Sequence, residues 1–285
     1  MNDINNRERI QKKLANSGFG SRREIEQWLR DGRIKVDGEV ANLGDTIDGS
    51  ETIQIDNKVL DRRALSGVKT KVVVYHKPEG EVCSRNDPEG RPTVFKNLPK
   101  LNGARWISVG RLDINTSGLL LFTNNGELAN RLMHPSYQIE REYAIRVLGE
   151  VSDQTLQQLR DGVMLEDGMA KFSDVKRSGG EGANKWYHAV LMEGRNREVR
   201  RMWEALDFTV SRLSRVRFAG IKLLKSHLPG KSKFLSDKEV TELMASVGME
   251  HVKEEGRKKN VIKRNAPRRA YDRGGKSGGK RKKRS

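Results

Sequence analysis

The chain has 285 residues, of which 35 % are hydrophobic and 33 % charged, with a net charge of +18. That length suits one large domain or two modest ones, the thin apolar fraction predicts that part of the chain is unpacked, and the charge predicts a polyanionic partner, nucleic acid first. Cys83 is the single cysteine, which excludes an intramolecular disulfide and a cysteine-rich zinc site; the polar Met1–Arg9 stretch and the lack of any run near about 18 apolar residues predict a cytoplasmic protein without a signal peptide or membrane span.

Ile10, Leu14 and Ala15 predict a short amphipathic helix closed by Gly18-Phe19-Gly20. Ser21 stands three residues before Glu24, a capping box that opens a second helix through about Arg30, and Gly32 stops it. Arg33–Val36 and Glu39–Ala41 flank Asp37-Gly38, the pair that supplies positive φ in a tight hairpin, and Thr52–Ile55 adds a third strand. Residues 7–35 carry nine basic and four acidic side chains, whereas 36–62 carry two and seven. The cations are therefore gathered on the helical half, as on a phosphate-facing surface. Asp61–Thr70 is a polar linker.

From Lys71 to about Met249 strands and helices mix. Val72–Tyr75, Gly118–Thr123, Glu142–Leu148 and Trp186–Met192 read as strands, and Gly126–Met133, Asp153–Arg160, Asn196–Leu206 and Asp237–Ser246 as helices. This order predicts an α+β domain around a mixed, largely antiparallel sheet. By its residues alone Lys77-Pro78-Glu79-Gly80 reads as a turn, and Ser178–Gly182 reads as a hairpin loop. Residues 253–285 hold 15 Lys/Arg against three acidic residues and almost nothing apolar, so a disordered basic tail is expected there.

The densest chemistry lies in Gly110-Arg111-Leu112-Asp113-Ile114-Asn115-Thr116-Ser117-Gly118-Leu119-Leu120-Leu121. It sets one carboxylate in a polar loop between apolar segments, with Arg111 two residues before it and Asn115, Thr116 and Ser117 as local donors. By itself an Asp before a strand is more often a turn former or cap. Tyr143, in Arg141–Val147, is by itself a core or rim residue. In Glu193–Met202, Gly194 and Asn196 fit a turn into a helix whose apolar stripe is Val199, Met202, Trp203 and Leu206; its arginines fit a solvated face or a phosphate surface equally well. His76, His134 and His188 have no metal-ligand spacing.

Two resemblances narrow these readings. Ser21-Arg22-Arg23-Glu24 with Gly32–Gly38 resembles an S4 RNA-binding domain, which implies RNA contacts from Arg22 and Arg23 first, then Arg33 and Lys35. Gly-Arg-Leu-Asp followed by Thr-x-Gly-Leu-Leu-Leu is similar to the catalytic motif of pseudouridine synthases of the RsuA/RluB type, and the resemblance runs from about Gln11 to Leu243. Lys77-Pro78-Glu79-Gly80 resembles a loop near the active site of that family. Asn86–Phe95, Gly103–Trp106 and Glu127–Pro135 resemble the RluB subgroup, whose members act on a uridine of 23S rRNA. The resemblance implies that Asp113 is the catalytic aspartate and that Tyr143 stacks on the flipped base and helps remove its C5 proton. It also implies that Arg200 pairs with Asp113 and that Leu213 lines the uracil pocket, leaving Arg111, Arg195, Arg197 and Arg201 to bind substrate RNA. No metal, small-molecule cofactor or membrane is implied, and the partner is large-subunit ribosomal RNA, met by a monomer. The resulting organisation is an S4 domain over 7–60, a catalytic domain over 71–250 and the tail over 253–285. The rival is a non-catalytic S4-type, ribosome-associated RNA-binding factor. Another S4-bearing enzyme, an aminoacyl-tRNA synthetase or methyltransferase, ranks last because no nucleotide or methyl-donor glycine loop follows a strand.

Overall fold

The structure is a computed structural model that describes residues 7–61, 69–101 and 103–250. The expected disordered tail and most of the expected linker lie outside these residues. In the N-terminal unit, β1 (Glu8–Arg9) runs into α1 (Ile10–Asn16), and α2 (Arg22–Arg30) follows. The Ser21 hydroxyl accepts from the Glu24 N–H at 3.0 Å while the Glu24 carboxylate accepts from the Ser21 N–H at 3.1 Å, so both arms of the capping box form. β2 (Ile34–Val36) and β3 (Glu39–Val40) turn at Asp37-Gly38, both at positive φ. β4 (Thr46–Ile47) returns to pair with β1, and β5 (Ile53–Ile55) continues into β6 (Lys58–Val59). Asp56 and Asn57, at φ 50° and 63°, make this a second hairpin that the sequence reading did not foresee. The sheet order is β3-β2-β5-β6, and Ile10, Leu14, Ile25, Leu29, Ile34 and Ile53 close the core beneath it.

The second region contains β7 (Val72–Lys77), β8 (Ile107–Val109), β9 (Ser117–Thr123), α3 (Gly126–Met133), β10 (Arg141–Leu148) and α4 (Asp153–Asp161). After these come the hairpin β11 (Val163–Leu165) and β12 (Gly168–Ala170), then β13 (Asp174–Gly179), β14 (Asn184–Leu191) and α5 (Glu198–Glu204). β15 (Val210–Phe218), β16 (Ile221–Lys222), β17 (Ser232–Phe234) and α6 (Asp237–Ala245) complete it. The main sheet runs β13-β14-β10-β15-β9-β7-β17, with β8 beside β9 and β16 beside β15. Only β9 with β15 is parallel, so the sheet is mixed and largely antiparallel. Val72 and Val74 of β7 face one core with Leu128, Leu132 and Leu243, while Val73 and Tyr75 face the other with Phe122, Ile145 and Tyr187. Burial on both faces explains why β7 and β9 read as unbroken apolar runs.

Two expectations need correction. The helix expected over Asn196–Leu206 spans only Glu198–Glu204, because Arg197 takes φ 47° and cannot continue a helix turn. β15, central in the sheet, was not expected as a strand: its Ser and Arg residues interrupt the apolar alternation, and its register against β10 shifts twice.

The parallel contact between β9 and β15 depends on one residue. Gly118, at φ 107°, lies so close to β15 that a Cβ would stand 2.3 Å from the Arg215 carbonyl oxygen and 2.6 Å from its nitrogen. Gly118→Ala is therefore expected to destabilise the fold by roughly 3 kcal/mol or more, through strain and forced strand separation. Urea unfolding of the two proteins checks this, and an unchanged midpoint would contradict it.

Candidate active site

The loop from Gly110 to Thr116 joins β8 to β9, and its polar sequence leaves a series of carbonyls outside the sheet ladder. Lys77, wholly buried at the end of β7, donates through Nζ to the carbonyls of Pro78 at 3.0 Å, Ile114 at 3.3 Å and Thr116 at 2.8 Å. Arg200, buried on α5, donates through Nη2 to the Asn115 carbonyl at 2.9 Å and through Nη1 to the Val210 carbonyl at 2.7 Å. The Gly80 N–H reaches the Ile114 carbonyl at 2.8 Å, and the Thr116 N–H closes a turn onto the Asp113 carbonyl at 3.0 Å. The Cys83 thiol donates to the Leu112 carbonyl at 3.3 Å while its sulfur accepts from the Leu112 N–H at 3.4 Å. Burial pushes the thiol above its ordinary value, which keeps it protonated for this contact.

This corrects the expected partnership of Arg200. Its guanidinium makes no ion pair with the Asp113 carboxylate; it holds the loop that carries Asp113. Burial lowers its proton affinity, Arg197 lowers it further, and the field of Asp113 works in the opposite direction. Nor do Asn115, Thr116 and Ser117 donate side-chain bonds to Asp113: the Ser117 hydroxyl turns to the Leu213 carbonyl at 3.4 Å, and the buried Thr116 hydroxyl has no partner among the described residues.

Asp113 is half-buried and opens into a cleft of about 470 Å³ lined also by Arg111, Tyr143, Leu213, Arg195 and Arg197. Tyr143 and Leu213 are buried on β10 and β15; the inward residues of β10 recur at period two, two register shifts keep those of β15 beside them, and the two strands form one wall. Arg111 is exposed and has no ion pair among the described residues. Arg195 is held in place by Glu193 at 3.0 Å and by the Gly168 and Met169 carbonyls at 3.2 and 2.7 Å. Arg197 meets Glu204 at 3.4 Å. Arg201, expected to bind substrate, does not line the cleft; its fork closes on the Asp167 carboxylate at 2.9 and 2.8 Å.

In the N-terminal unit, Arg22 and Arg23 are exposed in the first turn of α2 with no side-chain partner among the described residues. Arg33 forks onto Asp56 at 2.8 and 2.6 Å and lies over the Trp28 ring, and Lys35 reaches Asn57 at 3.4 Å. Those two cations therefore also brace the second hairpin.

Four cleft or loop residues had no role assigned to them from the sequence. Lys77 looked like part of a turn, and Arg141, Arg215 and Glu198, all buried, line the cleft floor. Burial raises the Glu198 carboxyl to about 6, against the Arg195 N–H that hydrogen-bonds it. No local pattern marks a charged residue as buried; the signal available was an Arg at an inward position of each strand.

Residues 71–205 match the RNA pseudouridylate synthase family model and residues 8–53 the S4 domain model. The chain is 59 % identical over 220 residues to the ribosomal large subunit pseudouridine synthase B of Escherichia coli K12, covering 76 % of each chain. The chain belongs to the ribosomal large subunit pseudouridine synthase B family. It is 54 % identical over 246 residues to the Pseudomonas aeruginosa synthase B, covering 86 % of this chain and 64 % of that protein, so the match spans less than two thirds of that relative's length. A solved pseudouridylate synthase shares the fold, with a TM-score of 0.57 at 24 % identity over 82 % of this chain and 99 % of that one. The loop clamp can be tested directly. Lys77→Met and Arg200→Met each free a carbonyl of the Asp113 loop, and each is expected to cut single-turnover pseudouridine formation by about 100-fold while RNA affinity holds. Rapid-quench and equilibrium-binding measurements separate the two effects; lost affinity with an intact rate would contradict the clamp.

Proposed function

We propose that the chain isomerises a uridine of 23S ribosomal RNA to pseudouridine, as a cytoplasmic monomer, with Asp113 as the essential carboxylate. What carries this reading is one cleft that gathers Asp113, Tyr143 and Leu213 under a rim of arginines, in a chain with synthase B relatives. Substrate and product are isomers: the N1–C1′ bond breaks, the uracil turns, C5 bonds to C1′, and the C5 proton leaves while N1 gains one. The balance needs no redox partner or nucleotide. Asp113 either attacks C1′ or removes the 2′ proton, and both roles need an ionised carboxylate held against the ribose. No side chain among the described residues hydrogen-bonds it, which leaves both oxygens for the substrate.

The target must leave its stack to reach this depth, at a cost of a few kcal/mol. Tyr143 and Leu213 both line the cleft; on this reading the ring of the one and the apolar side chain of the other receive the uracil, and the Tyr143 hydroxyl helps remove the C5 proton. Arg200 acts as a positioning residue, through the loop. Arg111, Arg195 and Arg197 at the rim and Arg22 and Arg23 on α2 meet phosphates, which orient the RNA without reading bases. Arg201, committed to Asp167, contributes less.

Asp113→Asn keeps the size of the side chain and removes its charge. The variant is expected to form no pseudouridine on unmodified rRNA while binding it nearly as the parent does; sequence-resolved pseudouridine mapping beside a binding titration checks both, and normal product would sink the assignment. The 15 cations of residues 253–285 are read as further phosphate contacts. Each phosphate neutralised adds roughly 0.7 to 0.9 to the slope of log affinity against log salt. Truncation after Val252 should flatten that slope and leave the modified position unchanged; coincident slopes for the two proteins would show that the tail does not touch RNA in the complex.

A further inference from the structure

Two cleft arginines have no role in the scheme above. Arg141 and Arg215 are 8 % and 3 % exposed, and both guanidinium groups lie against the Phe218 ring, at 5.3 and 5.0 Å from its centre. Each is tied to the sheet by one edge. Arg141 donates through Nη1 to the carbonyls of Ile139 at 2.7 Å and Met192 at 2.9 Å, and Arg215 donates through Nε to the Leu119 carbonyl at 2.8 Å. The other edges are free: Arg215 Nη2 is buried without a partner, and Arg141 Nε and Nη2 make no hydrogen bond among the described residues. Neither arginine forms an ion pair there. The nearby carboxylates Glu193 and Glu198 are both engaged by Arg195.

We propose that Arg141 and Arg215 form a phosphodiester subsite that seats a phosphate flanking the target uridine. This rests on the pseudouridine synthase reading of the cleft. Two like charges against one ring in a desolvated wall are costly without an anion; burial lowers the proton affinity of Arg141 and the field of Arg215 adds to that, while the fields of Tyr143, Glu198 and Glu193 only partly oppose it. A neutral uracil oxygen needs one ordinary donor and would leave that repulsion in place. A phosphate offers a fixed charge and several acceptor oxygens to two forks whose orientation is set in advance. The placement fits as well. Arg215 faces Tyr143 across the strand pair and Leu213 is two residues along β15, so the cationic end of the wall adjoins the apolar end that takes the base. A nucleotide whose ribose meets Asp113 has its own phosphates within one sugar's width. The site differs from the rim arginines in being buried and prebuilt.

The test is a coupling cycle read by equilibrium binding. Full-length protein carrying Asp113→Asn, so that no turnover intervenes, is titrated with an rRNA stem-loop containing the target. The linkage 5′ or 3′ of the target is replaced in turn by a neutral methylphosphonate, with the preceding ribose 2′-O-methylated in both the replaced and the control RNA. One of the two replacements is expected to weaken binding by about 10-fold. Adding Arg141→Gln should reduce that penalty to less than about 2-fold, and Arg141→Lys should retain part of it. Equal penalties with and without Arg141, or no penalty at either linkage, would overturn the subsite. Arg215→Gln, the more buried change, is informative where its melting curve matches the parent's, and there it should remove the same penalty. The parent enzyme is assayed in parallel on the unmodified stem-loop: absence of pseudouridine there sinks the function, whereas product formation without coupling sinks only the subsite.

Discussion

Three consecutive carbonyls, those of Ile114, Asn115 and Thr116, set the terms on which the cleft exists. The chain must bend away from the sheet there to present Asp113, and a bend of that kind takes acceptors out of the strand ladder, so each needs another donor. Two buried cations meet them: Lys77 from β7 and Arg200 from α5, the latter 85 residues away in sequence. Burying a cation is costly, and carbonyl ligands offset that cost only when their geometry is good. The strand, the helix and the loop therefore have to be placed together, and an error in any one leaves a charge or a carbonyl without a partner. Arg200 consequently reaches Asp113 through the backbone and the field, and the carboxylate keeps its oxygens for the cleft.

The sheet supplies what the loop cannot. Along β10 the buried positions are Arg141, Tyr143, Ile145 and Val147, so one face runs from cationic to aromatic to aliphatic. Opposite them on β15 stand Phe218, Arg215, Leu213 and Val210, so cation and aromatic change places across the pair while the aliphatic ends match. Two register shifts between these strands let that series stay on one face despite spacings that strict alternation would split. The close parallel approach of β9 and β15 at Gly118 brings this wall against the Asp113 loop. Polarity thus changes along the strands, and the reactive loop crosses near the point where it changes.

How far the sequence disclosed this depends on the range of the interaction that fixes each part. The capping box at Ser21 and Glu24, the Asp37-Gly38 hairpin and the bounds of α3 were legible because their partners lie within four residues. β7 and β9 were legible because burial on both faces forces a continuous apolar run. β15 was not: its interior positions carry Arg215 as readily as Leu213, and only the tertiary cleft explains an inward arginine. The cleft members Asp113, Tyr143 and Leu213 came from resemblance to a family motif, and the structure brings them together in one wall and loop. The Arg200–Asp113 pair, expected on the same ground, gives way to a carbonyl clamp that no spacing in the sequence encodes. Arg201 does not line the cleft, and its fork is taken up by Asp167, a partner 34 residues away that no local pattern announces.

The N-terminal unit gains its value from where it is fixed. A methyl group at Gly18 would come within 2.1 Å of the Gly103 carbonyl, Lys12 approaches Glu127 at 4.0 Å, and the Asn16 side chain packs against Gly126. The helical half that carries Arg22 and Arg23 is thus held against the segment leading into β8 and against the start of α3. On the proposed function, phosphate contacts on α2 would carry no base preference and the cleft would admit any uridine that can be turned into it, so neither surface would select a target alone. Held on one body, they would. With α2 engaged on a stem, the cleft samples only those nucleotides at one separation and orientation from it, at an effective concentration far above that of free RNA. On that reading, selection of one uridine among many would follow from the distance between two unselective surfaces, which the packing at Gly18 and Gly126 sets.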